Sequence, residues 1–287
     1  MKPHTPVWRF AVTTLCASVA VLTGAGTAYA QAEPAKKPAA SAPKAPAVTE
    51  SQTQARAILM RMAEFLAGTQ SFSVSVRGDY DAVQTSGQKI EFGENRTVTL
   101  SRPDRLRVEG QRSDGVKTLT VFTGKEIVLI DAANNVYATA PQPGGVDQTI
   151  VHFVRDLGMK LPLAMLLVSQ LPAELTERVQ SVDYVEKTSI DGAPSHHLAA
   201  RTDSVDFQVW VADGATPVPQ RVVITYKKAK GEPQFRAQLS EWNFAPAIAD
   251  STFLATPPAG AQKVAFAAQL PRISATARKP SGDKGAK

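Results

Sequence analysis

The sequence predicts a mostly β (α+β) fold: a strongly curved, open antiparallel sheet of about eleven strands, a half-barrel, with a helical lid. Three observations predict it. Short apolar runs of period two recur from Ser71 to Ala138 and from Val182 to Phe244, punctuated by Gly, Asp, Asn and Pro. Connections such as Thr123-Gly124-Lys125 and Asn134-Asn135 are too short for a parallel crossover, so the strands are antiparallel neighbours. Eleven strands at ~4.8 Å spacing span about 50 Å, whereas three helices of ~10 Å diameter cover about 30 Å, so the sheet must curl to cover its apolar face.

Residues 1–30 read as a secretory signal, with cationic Lys2 and Arg9, an apolar stretch from Phe10 to Ala25, and Ala28-Tyr29-Ala30 as the cleavage site. Export to the periplasm with cleavage near Ala30 also removes Cys16, the single cysteine, so no thiol chemistry is expected of the mature chain. Residues 31–48, rich in Ala, Pro and Lys, are expected to be a disordered linker, and 271–287 a disordered basic tail. The folded domain is expected at 49–270. The formal charge of +6 belongs to the ends, since residues 51–270 carry 22 bases and 23 acids. A near-neutral body gives no reason to expect nucleic acid as a partner.

Thr49 and Gln52 form a capping box, Gly68 is a stop, and Ala55, Ile58, Leu59, Met62, Phe65 and Leu66 recur at helical spacing. Strands follow at Phe72–Val76, Ile90–Phe92, Val98–Leu100, Leu106–Val108, Leu119–Phe122, Ile127–Ile130 and Val136–Ala138. Asp147 is expected to cap a helix through Ile150, Val151, Val154 and Leu157. Leu161–Val168 is apolar all round, and Pro172 opens a helix to Val179. Strands resume at Val182–Val185, Ser195–Ala200, Phe207–Val211, Arg221–Lys227, Gln234–Phe244 and near Val264–Phe266. Asp191-Gly192 is expected to be a turn and Lys227–Lys230 a charged hairpin tip.

In the second half, the blocks Ser181–Val185, Ile190-Asp191-Gly192-Ala193-Pro194-Ser195-His196-His197-Leu198, Asp206–Val211, Pro217–Tyr226, Pro233–Ala237 and Phe253–Ala261 follow one another in an order that resembles the family of predicted bacterial periplasmic proteins called domain of unknown function 2092. The resemblance covers roughly residues 50–267. That family is similar in fold to the outer-membrane lipoprotein carriers LolA and LolB. The resemblance implies a LolA-like half-barrel with a lid over a hydrophobic cavity, in a monomer that takes lipid or the acyl chain of a lipoprotein.

No GxSxG, P-loop, HExxH, CxxC or EF-hand spacing occurs in the mature chain, so no catalysis, cofactor or metal is expected. His196 and His197, adjacent on a strand, point to opposite faces and are poorly placed to share a metal. Asp79 with Asp81, and Glu91 with Glu94, read as solvated strand or turn residues, and His152 as a polar helix residue. Trp210 and Trp242 either pack the sheet or stack on a ring-bearing ligand. The candidate site is apolar. Phe72, Val74, Val76, Leu119, Val121, Ile127, Leu129, Phe207, Val209 and Val211 are expected to line one sheet face, beneath Val154, Met165, Leu166 and Leu167 of the lid. Two functions fit such a set: a cavity for lipid or acylated lipoprotein, or a solid core in a sensor or scaffold that recognises an envelope protein or touches a membrane surface.

Overall fold

In the computed structural model, residues 49–156 and 161–266 are described. The signal segment, linker, tail and Leu157 lie outside them.

Helix α1 (Glu50–Gly68) begins at the capping box: the Thr49 hydroxyl accepts from Gln52 N–H at 3.2 Å, and Thr49 N–H donates to Gln52 Oε1 at 3.1 Å. Its stripe of Ala55, Ile58, Leu59, Met62, Ala63 and Leu66 is buried. Six strands follow as an antiparallel meander: β1 (Ser71–Val83), β2 (Lys89–Ser101), β3 (Arg105–Arg112), β4 (Lys117–Phe122), β5 (Glu126–Asp131) and β6 (Val136–Pro141). A second meander comprises β7 (Ser181–Ile190), β8 (Ala193–Arg201), β9 (Val205–Ala212), β10 (Pro219–Tyr226) and β11 (Gln234–Asn243). The two are joined because β11 pairs with β1, and β12 (Gln262–Lys263) adds to β6 in parallel. The result is one open, curved, twelve-stranded sheet with β12 and β7 at its edges. It has one strand more than expected, and its last pairing is parallel. Asp191 and Gly192 form the β7–β8 turn with φ of 49° and 82°, the left-handed pair a two-residue hairpin needs.

Between the meanders the chain is less helical than its apolar runs suggest. Helix α2 (Val146–Val151) is six residues long and passes into a π turn over His152–Asp156. Asp147 does not cap it. That position belongs to Gly145, whose N–H donates to Gln148 Oε1 at 2.9 Å, while the Asp147 carboxylate is used by Arg102 and Ser169. Leu161–Val168 is a turn followed by a short 3₁₀ segment, Ala164–Leu167, because Leu163 sits at φ 66° and breaks any longer helix. Helix α3 (Leu171–Arg178) opens with Pro172 in its first turn. Among the described residues no helix is long and apolar enough to cross a membrane, a statement that does not bear on strands.

Helix α1 packs on β7, β8 and β9 and on α3, closing that part of the concave face. The concave side of β1–β5 faces the lid segment instead.

Candidate functional site

Period two places Phe72, Val74 and Val76 of β1 on the concave face, and register carries that face across the sheet. Val74 is opposite Val98, Leu100 opposite Leu106, and Leu106 opposite Phe122. On β11 the inward residues are Phe235, Ala237 and Leu239, after which the parity changes. Ser73 pairs with Asn243 but Ser75 with Ser240, so β11 holds one extra residue here, with Glu241 at φ 54°. This bulge turns Trp242 inward, where its ring lies 5.3 Å from Phe72 and its Nε1–H donates to Pro219 O at 3.2 Å.

Between this face and the lid lies a cavity of about 400 Å³. Its floor includes Phe72, Val74, Val98, Val108, Phe122 and Ile127, and its roof includes Ile150, Phe153, Leu161, Leu163, Leu166 and Leu167. Phe266 returns from the C-terminal stretch to close one side, 6.0 Å from the Phe153 ring. One end is polar, with Glu94, Arg96, Gln111, Arg112 and Thr118. No His or Cys is among the described lining residues, and no group of three potential metal ligands occurs among the described residues.

Of the expected site residues, Phe72, Val74, Val76, Ile127, Leu129, Leu166 and Leu167 come together around this cavity. Val154 and Met165 are partly buried and pack on the core without lining it. Val209 and Val211 belong to the core on β9 and Phe207, partly buried, packs against it; all three lie on the part of the sheet that α1 covers and are away from the cavity.

Leu119 and Val121 are on the wrong face. Thr118, Thr120 and Phe122 turn inward on β4, so Leu119 opens instead on a more polar outer groove of about 510 Å³, with Ile130 beside it. Val121 is 1% exposed because the outer face is covered too: the C-terminal segment crosses β3, with Arg107 donating to Thr252 O and Leu254 O and Arg105 lying over the buried Phe253 ring. Val98, Leu106, Val108, Phe235 and Leu239, absent from the expected set, carry the same alternation that identified Phe72–Val76.

His196, His197, Asp81, Glu91 and Glu94 are held by neighbouring side chains. His196 bonds Tyr184 OH at 3.1 Å and Asp213 at 3.1 Å, while His197 bonds Gln208 Oε1 at 2.9 Å and stacks on Trp210 at 4.0 Å. Trp210 therefore packs between His197 and Arg221, whereas Trp242 reaches the cavity. Asp81 and Glu91 share Arg236, and Glu94 pairs with Arg96 at 2.7 Å.

Residues 55–267 match the sequence profile of the family described as "Predicted periplasmic protein (DUF2092)". No curated protein is a significant match to the chain. Among solved structures it is similar to an uncharacterised conserved protein from Thermus thermophilus, at 15% identity and TM-score 0.44, covering 74% of this chain and 99% of that one. It is also similar to the Mycobacterium tuberculosis lipoprotein LppX, at 12% and 0.43 over 70% and 100% of the two chains. A LolA superfamily protein from Nitrosomonas europaea matches at 12% and 0.33 over 70% and 97%.

Proposed function

The chain belongs to the DUF2092 family of predicted periplasmic proteins, and from that premise we propose that it is an exported, non-catalytic binding protein for an apolar chain, either a lipid or the acyl group of a lipoprotein. Its signal segment is removed near Ala30, and the mature protein acts as a monomer in the periplasm. One observation supports this reading above the others: the volume of about 400 Å³ left between the concave face and the lid.

Protein interiors leave few voids larger than a water molecule. Left unfilled, the part of this space beneath the lid forfeits packing that a solid core would gain, at ~24 cal/mol per Å³ of void. Water offers little relief against walls of Phe, Val, Ile and Leu, which present few polar partners. An apolar occupant removes the cost, and the volume falls within the range of small-ligand pockets. The same volume argues against a scaffold packed solid.

The energetics suit transfer. Moving a sixteen-carbon chain out of water gains on the order of 12 kcal/mol, and a bilayer offers nearly the same. Such a protein takes up and releases its cargo near thermoneutrally, without a nucleotide, provided the lid moves. Protein purified without detergent from its native compartment is expected to carry acyl lipid, detected by mass spectrometry of an organic extract. Protein that is lipid-free and also takes up no fluorescent acyl probe overturns the proposal.

A further inference from the structure

The lining of the cavity is sorted. Towards the lid it is apolar and dry: Phe72 is 0% exposed, Phe122 1% and Phe153 6%. Away from the lid, along the same faces of β2 and β3, the residue types change to Glu94 and Arg96, then Gly110 and Arg112. Glu94 is opposite Arg112, and Arg96 opposite Gly110, so the two guanidinium groups occupy neighbouring strands at this end. It is also the wetter end, with the Arg96 and Arg112 side chains 33% and 50% exposed.

Each arginine has acidic neighbours, Glu94 for Arg96 and both Asp114 and Asp131 for Arg112, and its ion pair uses one terminal nitrogen of the guanidinium. Arg96 meets both oxygens of Glu94 through Nη2 alone, and Arg112 meets Asp114 through Nη2. A guanidinium carries five N–H donors in a planar fork suited to carboxylate or phosphate oxygens. Gly110, between them in register, lets the Thr118 side chain pack close: a Cβ there would stand 2.7 Å from the Thr118 hydroxyl.

We infer that the cavity takes an amphiphile with one anionic head, its chain beneath the lid and its carboxylate or phosphate held by Arg96 and Arg112 at the open end. This rests on the reading of the cavity as an apolar-chain site and narrows it. A neutral ester or alcohol of equal chain length satisfies the apolar wall but leaves the guanidinium groups to water. The sorting also fixes orientation, since a charged head under the lid would have to be desolvated among Phe and Leu.

The test compares ligands of one chain length on the mature protein. Hexadecanoate, hexadecyl phosphate and hexadecanol compete against a neutral fluorescent reporter, N-phenyl-1-naphthylamine. The anionic ligands are expected to bind about tenfold more tightly than the alcohol or better, and whichever is tighter identifies the preferred head. Arg96→Gln with Arg112→Gln is expected to bring them to the level at which the same variant binds the alcohol. Equal affinity of all three ligands for the wild type overturns the head site and leaves the apolar cavity standing. Failure of the reporter and of every ligand to bind overturns both. The wild-type comparison needs no variant to fold.

Discussion

Asp147 at the start of the lid is bonded to Ser169 at its end: its carboxylate accepts the Ser169 N–H at 3.1 and 3.2 Å and the Ser169 hydroxyl as well. One side chain therefore pins the two ends of the lid together at its base. Arg102 extends the clasp. Its guanidinium donates to Asp147 at 3.2 Å, to Thr69 O at 3.0 Å and to Leu66 O at 3.5 Å, so the lid base is tied to the last turn of α1. Burial pulls the Arg102 pKa down and the Asp147 charge pushes it back up, and an arginine so placed stays charged.

Asp147→Ala leaves that guanidinium, 8% exposed, without its counter-charge. Breaking such a pair from one side costs about 3 kcal/mol or more, and in a domain of this size that is a fall in Tm of about 10 °C. Ser169→Ala keeps the backbone donor and is expected to cost about 1 kcal/mol. Thermal melts followed by circular dichroism decide the matter. An Asp147→Ala variant that melts with the wild type removes the clasp from the account.

A second expectation concerns pH. Burial alone would raise the Asp81 pKa, but hydrogen bonds from Arg236 at 2.9 Å and Gln234 N–H at 2.9 Å, with the charges of Arg236 and Lys89, hold it below the ordinary 3.8. A carboxyl lowered by folding stabilises the native state above its unfolded pKa, and that stability is lost as the pH falls from about 3.8 towards the folded value. Asp81→Asn should cost about 1–3 kcal/mol at neutral pH. The gap in Tm between variant and wild type should narrow below pH 3.8. A gap that stays constant into acid would show that the charge of Asp81 does not contribute.

Two glycines separate backbone strain from steric crowding. Gly87 and Gly124 both have positive φ, at 88° and 75°, but a Cβ at Gly87 meets nothing within 4 Å while one at Gly124 comes within 2.7 Å of the Asp104 carboxylate and 2.8 Å of its Cβ. Gly87→Ala is expected to cost about 1 kcal/mol from the left-handed backbone alone. Gly124→Ala adds a collision in the β4–β5 turn and should cost about 2 kcal/mol or more. Urea midpoints measured side by side check the order, and equal midpoints would contradict it.

The strands, α1 and the antiparallel order are legible because each rests on local pattern: a capping box, a period of two, a connection too short to cross over. The inward face of β4 is not. Thr118 and Thr120 face the cavity while Leu119 and Val121 face outward, since the 250–254 segment crosses the neighbouring strand on the outer side. Where both faces of a strand are covered, alternation marks a strand without saying which side is the core. Trp242 is ambiguous for a related reason, because a one-residue bulge reverses parity and nothing in Ser240-Glu241-Trp242 announces it. The lid reads as more helical than it is because an apolar run signals burial, not backbone conformation.

The two faces of β4 and β5 supply the last test. Leu129 lines the cavity and is 36% exposed, while Leu119, on the neighbouring strand, opens on the outer groove. A glutamate at either position can stay hydrated in the unliganded protein, so both variants should fold, as circular dichroism would show. With a chain in the cavity the two differ. Leu129→Glu must then desolvate a carboxylate against hydrocarbon, at a cost of about 1–3 kcal/mol for a partly exposed site, and should weaken acyl-probe binding about tenfold or more. Leu119→Glu is separated from the probe by the thickness of the sheet and should leave affinity within about twofold of wild type. If Leu119→Glu is the variant that loses the probe, the ligand lies on the outer groove and the concave face is only a core.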